Sequence, residues 1–249
     1  MPRARARGEL FTVHDGKVFG FGSPGCREEF LAEPSRFLFD HPVRKVAILV
    51  FDGVELLDFA GPGEVFEAAA RGRAFEVFTV AAGHDPITSQ GFVRVTPTYS
   101  MTESPQADVL VIPGGGIGRL IRDKDSLAWI EKQAEGAQVV LSVCNGALVL
   151  AQGGLLDGLE ATTHADSLAT LEDWAPKTVV HKGRRFVDNG KIVTSAGVSA
   201  GIDAALHLVA RLVDEPTARA TATYMEYEWQ GPPTAASSPG PSVTVSGAR

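Results

Sequence analysis

The chain has 249 residues, 44% of them hydrophobic, enough to bury one sizeable core with room for a small appendage. A formal net charge of −7 argues against non-specific nucleic-acid binding and offers no basic surface for anionic membranes. No apolar run approaches the roughly 20 residues that span a bilayer, and the Arg-rich start MPRARARGEL lacks the apolar stretch of an export signal, so a cytoplasmic location is expected.

Residues 1–42, rich in Phe, Gly and charge, are expected to form a small N-terminal α+β module. Residues 43–229 alternate β-branched runs with helical patterns and form the main domain. There, VRKVAILVF (43–51) reads as a strand buried on both faces. Pro62 suits the first turn of a helix running to about residue 71. FEVFTVAA (75–82) is the next strand, and GFVRVTPT (91–98) alternates like a short antiparallel arm. ADVLVIPGGG (107–116) is a buried strand running into a glycine turn, and SLAWIEKQAEG (126–136) an amphipathic helix stopped by Gly136. In QVVLSVCNGALVLAQGG (138–154) a β-branched run ends at Cys144 and a small-residue helix begins straight after it. RRFVDNGKIVTS (184–195) sets Asn-Gly between two β-like runs, a hairpin signal. SAGIDAALHLVARLVD (199–214) places Ile202, Leu206, Val209 and Val213 on one helical face. Residues 230–249, rich in Pro, Ser and Gly, are expected to be a disordered tail. The alternation implies a parallel sheet covered on both sides, with a ligand mouth at the carboxyl ends of its strands. Cys144, the Gly114–Gly116 turn and the turn after Phe51 would open there.

Several residues there could carry chemistry. A Cys on a sharp strand-to-helix turn exposes its sulfur, and the helix N-terminus beneath it is expected to lower the thiol pKa below the usual value of about 8.5. Gly146 and Ala147 would let the backbone approach whatever the sulfur attacks. The alternative is a buried core Cys. Cys26 and Cys144 belong to different segments, so no disulfide framework is expected. Asp58, in VELLDFAGPGEVF, reads either as a helix N-cap or as a carboxyl group sharing a proton with the thiol. Gly114, Gly115 and Gly116 could aim N–H groups into the mouth as an oxyanion hole, or simply make a tight turn. His164, in EATTHADS, could activate Cys144 or bind substrate, or could cap a helix; His207 reads as structural. The sequence has no GxxxxGK[ST] phosphate loop.

The segments VAILVFDGVELLDFAGPGEVF, ADVLVIPGGG, SVCNGALVLAQGGLLDG, ATTHADSL and TSAGVSAGIDAALHLV closely resemble the DJ-1/PfpI superfamily, whose fold is class I glutamine amidotransferase-like. Within it they look most like the branch that holds isonitrile hydratases and the sensor-like domains of AraC-type regulators. The resemblance covers residues 43–229 and implies a flavodoxin-like three-layer sandwich with a mostly parallel sheet. It implies Cys144 as nucleophile, Asp58 as its acid partner, Gly114–Gly116 as the mouth-lining turn and His164 as the TTH histidine. It also implies a homodimer acting on a small molecule, without metal or organic cofactor. Asn145 stands where many such sequences have Thr, and Ala165 where the branch often has an aromatic residue, which leaves a roomier pocket. The activity implied is hydration of an isonitrile to an N-substituted formamide. Glyoxalase-like action on a 2-oxoaldehyde and a non-catalytic small-molecule or redox sensor are the alternatives. After residue 229 there is no room for a DNA-reading helix-turn-helix, so a sensor would act through another protein and direct nucleic-acid binding is not expected.

ELFTVHDGKVFGFGSPGCREEFLAEPSRFL resembles a YHS domain, a small module linked with metal binding. Gly22 stands where that family's first Cys belongs, and Cys26 with His14 offers too few ligands for structural zinc. A degenerate, metal-free module is expected, with Phe11, Phe19, Phe21, Phe30 and Phe37 packing on each other or on the main domain.

Overall fold

Short alternating runs near the N-terminus make an antiparallel hairpin, β1 (Phe11–His14) and β2 (Lys17–Gly20), followed by helix α1 (Pro24–Ala32). The computed structural model describes residues 10–14, 16–32, 34 and 42–231, and the chain divides into two units, Met1–Pro42 and Val43–Arg249. In the first unit Phe30 is buried, with the rings of Phe19, Phe21 and His14 at 4.8, 5.2 and 5.7 Å. Phe11 is exposed. Phe37 and the expected tail from residue 232 onward lie outside the described residues.

The second unit runs β3 (Arg44–Leu49), α2 (Leu56–Ala68), β4 (Phe75–Ala81), β5 (Ile87–Ser89), β6 (Val93–Val95), β7 (Tyr99–Ser100), β8 (Val109–Ile112), α3 (Lys124–Gly136), β9 (Val139–Ser142) and α4 (Gly146–Gln152). It continues with β10 (Glu160–Ala161), α5 (Leu168–Trp174), β11 (Val179–Val180), β12 (Phe186–Asp188), β13 (Ile192–Ser195), α6 (Ala200–Leu212) and α7 (Glu215–Tyr224). Seven strands form one sheet in the order β12-β13-β9-β8-β3-β4-β7, with β12 antiparallel to its neighbour and every other pairing parallel. Strands β8 and β9 are buried at every position, as near-continuous apolar runs covered on both faces require. Helices cover both sides, giving the expected three-layer α/β sandwich. Among the described residues no helix is long and apolar enough to cross a membrane.

Local expectations hold or shift for identifiable reasons. The 184–195 segment is the predicted hairpin, with Gly190 at φ 85° in its turn. The 91–98 arm pairs through β6 with β5, while β7 joins the main sheet beside β4. Helix α2 begins at Leu56, not at Pro62, so the proline lies inside it and leaves the Asp58 carbonyl without its usual helical donor. Gly136 is the last residue of α3 but is not left-handed: the chain leaves the helix at extended Ala137, and a Cβ on Gly136 would lie 2.6 Å from Gln106 Cδ. On α6, Leu206 and Val209 are buried as predicted, but so are Ala204, Ala205 and Leu208, because α2 and α7 cover the helix where the sheet does not.

The sheet ends differently on its two flanks. At one side β7 contributes two residues. At the other, Asp188 of β12 is held by His207 Nε2 at 2.7 Å and Arg211 Nη1 at 2.6 Å, both from α6.

Candidate active site

The carboxyl ends of β3, β8, β9 and β13 bring the predicted residues together. Beyond β9 the chain reverses at Cys144, which adopts φ 58°, a left-handed conformation uncommon outside glycine. Three features hold it there. The Cys144 N–H donates to Ala196 O (3.1 Å), and Thr163 Oγ1 donates to the Cys144 carbonyl (2.7 Å). A Cβ on Gly146 would overlap the Ile112 carbonyl oxygen, so the next turn of chain needs a glycine.

Asp58 sits in the first turn of α2, whose N-cap is Glu55; the capping role is therefore not the one it fills. It is fully buried. Oδ2 accepts the Gly114 N–H at 2.9 Å, while Oδ1 is buried without a partner of standard hydrogen-bond geometry. The Cys144 thiol and the Val198 amide adjoin the carboxyl group. Burial, reinforced by the charge of Glu55, pushes Asp58 up to about 6. Burial and then the Asp58 carboxylate push the Cys144 thiol up to about 12. The expected acidified, exposed thiol is thus corrected: Cys144 is 8% exposed, and the amides of Asn145 and Val198 do not offset desolvation plus a carboxylate. The two groups are coupled: the thiol hydrogen bond favours the Asp58 carboxylate, and that carboxylate favours keeping the proton on sulfur.

The glycine turn is also engaged differently from expectation. Gly114 N–H is taken by Asp58, Gly115 N–H by Asn145 Oδ1 (2.8 Å) and Gly116 N–H by Gly53 O (2.8 Å). None of the three is free to form an oxyanion hole. Asn145 returns a bond from Nδ2 to Gly115 O (3.0 Å), so its side chain clamps the turn. The amides that do face the sulfur belong to Asn145 and Val198. Val198 has φ 52°, an outlier for a β-branched residue. Sequence reasoning missed it; the small residues of TSAGVSAG signal close approach without marking which amide matters.

His164 Nδ1 accepts the Asp166 N–H at 3.2 Å and caps a short 3-10 turn, with its ring against Gly197. Among the described residues it makes no hydrogen bond to Cys144; its neighbour Thr163 does. His207 is structural, tied to Asp188 and tilted on Phe186 at 4.7 Å. Cys26 is exposed, with Ser23 Oγ at 3.2 Å from its sulfur.

The DJ-1/PfpI family model matches residues 44–211. The chain is 37% identical to the isonitrile hydratase of Pseudomonas putida over 211 residues, 82% of this chain and 88% of that protein. It is 25% identical over 172 residues to the HTH-type transcriptional regulator GbdR of Pseudomonas aeruginosa, spanning 68% of this chain and 46% of the regulator. Among solved structures, a THiJ/PfpI family protein from Pseudomonas syringae superposes with a TM-score of 0.69 at 32% identity, covering 79% of this chain and 80% of that one.

Proposed function

The chain belongs to the DJ-1/PfpI family, and we propose that within it this protein is a cysteine-dependent enzyme that hydrates a small isonitrile to an N-substituted formamide. The observation that carries this reading is the buried, adjacent Cys144–Asp58 pair at the sheet mouth. A binding pocket needs no such pair. A thiol held up to about 12 is a poor resting nucleophile, so Asp58 must act as base at the moment of attack.

As Sγ bonds to the terminal carbon of R–NC, Asp58 takes the thiol proton and delivers it to that same carbon. The product is a thioimidate, R–N=CH–Sγ. Water then adds to the carbon, with Asp58 removing one proton from it and passing that proton to the nitrogen. Collapse of R–NH–CH(OH)–Sγ expels the sulfur, Asp58 returns the hydroxyl proton to it, and R–NH–CHO leaves. The Asn145 and Val198 amides steady the charge on sulfur in attack and departure. These steps use no cofactor. Gly114 fixes the carboxyl group, Gly146 and Thr163 fix the elbow, and Asn145 fixes the glycine turn.

Purified protein should convert isonitriles to formamides, followed by mass spectrometry, and Cys144→Ala should abolish conversion. Turnover surviving in Cys144→Ala refutes the reading. Methylglyoxal in the same assay tests the glyoxalase-like alternative. The similarity to GbdR supports a second reading, a small-molecule sensor; a ligand that raises the melting temperature without being consumed would favour it. A cytoplasmic homodimer is part of the proposal, with sedimentation analysis as the check on assembly.

A further inference from the structure

A cavity of about 160 Å³ flanks the nucleophile elbow, and no step of the proposed reaction uses it. Its walls include Thr163 and Ala196, the two residues bonded to the Cys144 main chain, so it adjoins the residues that hold the elbow, while Cys144 itself is not part of its wall. Ala165 and Leu168 supply small and apolar wall, and Arg184 and Arg185 supply charge. The two arginines differ. Arg185 donates from Nε to Asp203 Oδ2 at 2.8 Å, pairs with the same oxygen through Nη2, and reaches Ser199. Arg184 is exposed and makes no hydrogen bond or ion pair among the described residues. No carboxylate belongs to the cavity wall. A free guanidinium above an apolar slot fits a planar anion on a short hydrocarbon stem.

We propose that this cavity receives the far end of the substrate and that Arg184 selects molecules ending in a carboxylate. The inference rests on Cys144 being the nucleophile. The Asp58 carboxyl adjoins the Cys144 thiol whereas no acidic residue lines the cavity, so an anionic group is disfavoured at the reacting end and drawn to the Arg184 end. That polarity fixes orientation: the electrophilic carbon lies at sulfur and the carboxylate at the cavity. The substrate class is therefore ω-carboxylated small electrophiles, among them isonitriles of amino-acid-like skeleton.

The test uses two chain-length-matched alkylating reagents, N-(4-carboxybutyl)iodoacetamide and N-pentyliodoacetamide, on the full chain at mildly alkaline pH. Alkylation of the Cys144 peptide is followed by mass spectrometry, with Cys26 as the in-chain reference. In the wild type the acid should modify Cys144 about fivefold faster than the neutral reagent. Arg184→Gln should bring the two rates together, Arg184→Glu should invert them, and Arg184→Lys should retain most of the preference. Equal preference in wild type and Arg184→Glu overturns the proposal, as does a Cys144 that neither reagent modifies. A preserved rate ratio without isonitrile turnover upholds the anion site and sinks the hydratase reading instead.

Discussion

Replacing Asp58 with Asn should make the protein more stable and less active, and the stability gain should depend on pH. Asp58 is fully buried and its pKa rises from 3.8 to about 6 on folding. The native state therefore binds more protons than the unfolded chain between those values, and stability falls as pH rises through them. Asn mimics the protonated acid and keeps an oxygen for the Gly114 N–H, but does not titrate. Treating Asp58 alone, the ionisation penalty removed by the substitution is about 1 kcal/mol at pH 4.5 and about 3 kcal/mol at pH 7.5, at 1.36 kcal/mol per pKa unit. Urea denaturation of both proteins across that range isolates it, because titrating groups that do not interact with Asp58 cancel in the difference and the thiol stays protonated over most of it. The variant should gain about 2 kcal/mol on the wild type between the two pH values. A difference that stays flat with pH refutes the burial argument. Turnover in the same variant should drop by about 10²-fold or more, while iodoacetamide should modify Cys144 faster, since the carboxylate that raises the thiol pKa is gone.

Four further outcomes follow from the same geometry. In the wild type at neutral pH, iodoacetamide should label exposed Cys26 before buried Cys144, and labelling of Cys144 should still be rising above about pH 9; a Cys144 midpoint below about 8.5 would restore the helix-acidified thiol. The acid limb of kcat/KM should have its midpoint near the Asp58 value of about 6, activity increasing with pH, and should vanish in Asp58→Asn. Gly146→Ala forces a methyl group into the Ile112 carbonyl oxygen and should cost at least about 2 kcal/mol in thermal or urea unfolding; a wild-type melting temperature would show that the elbow has slack. Asn145→Ala removes both bonds to Gly115 and should cost about 1–2 kcal/mol with a lower kcat/KM, whereas a purely substrate-facing Asn145 would change kinetics alone.

The frame of this molecule was legible because it is written in local patterns. Apolar runs gave β3, β8 and β9, Asn189-Gly190 gave the last hairpin, and the break at Cys144 between strand and small-residue helix gave the elbow. What escaped was set by partners distant in the chain. The fate of the Gly114–Gly116 amides depends on Asp58, Asn145 and Gly53, and nothing in PGGG says that each N–H already has an acceptor. The thiol pKa escapes a reading of the α4 N-terminus alone, because desolvation and the negative charge facing the sulfur from α2 outweigh it. Pro62 misplaced the start of α2 because its local preference for a first turn is outweighed by packing of that helix on α6. Val198 owes its role to a backbone conformation that its side chain disfavours, which local propensity reads backwards.

The flanks of the sheet bear on how the protein survives at high concentration. An open row of backbone donors and acceptors invites a neighbouring chain to add itself as another strand, the first step toward fibrous aggregates. Here β7 pairs with only Val80 and Ala81 of β4, whereas β12 is a three-residue return strand gripped from α6 through Asp188. Ribbon-like growth finds little to start from at the β12 flank, and a side-chain cluster remote from the chemistry thereby helps to keep a sheet rich in buried valine, leucine and isoleucine from recruiting copies of itself.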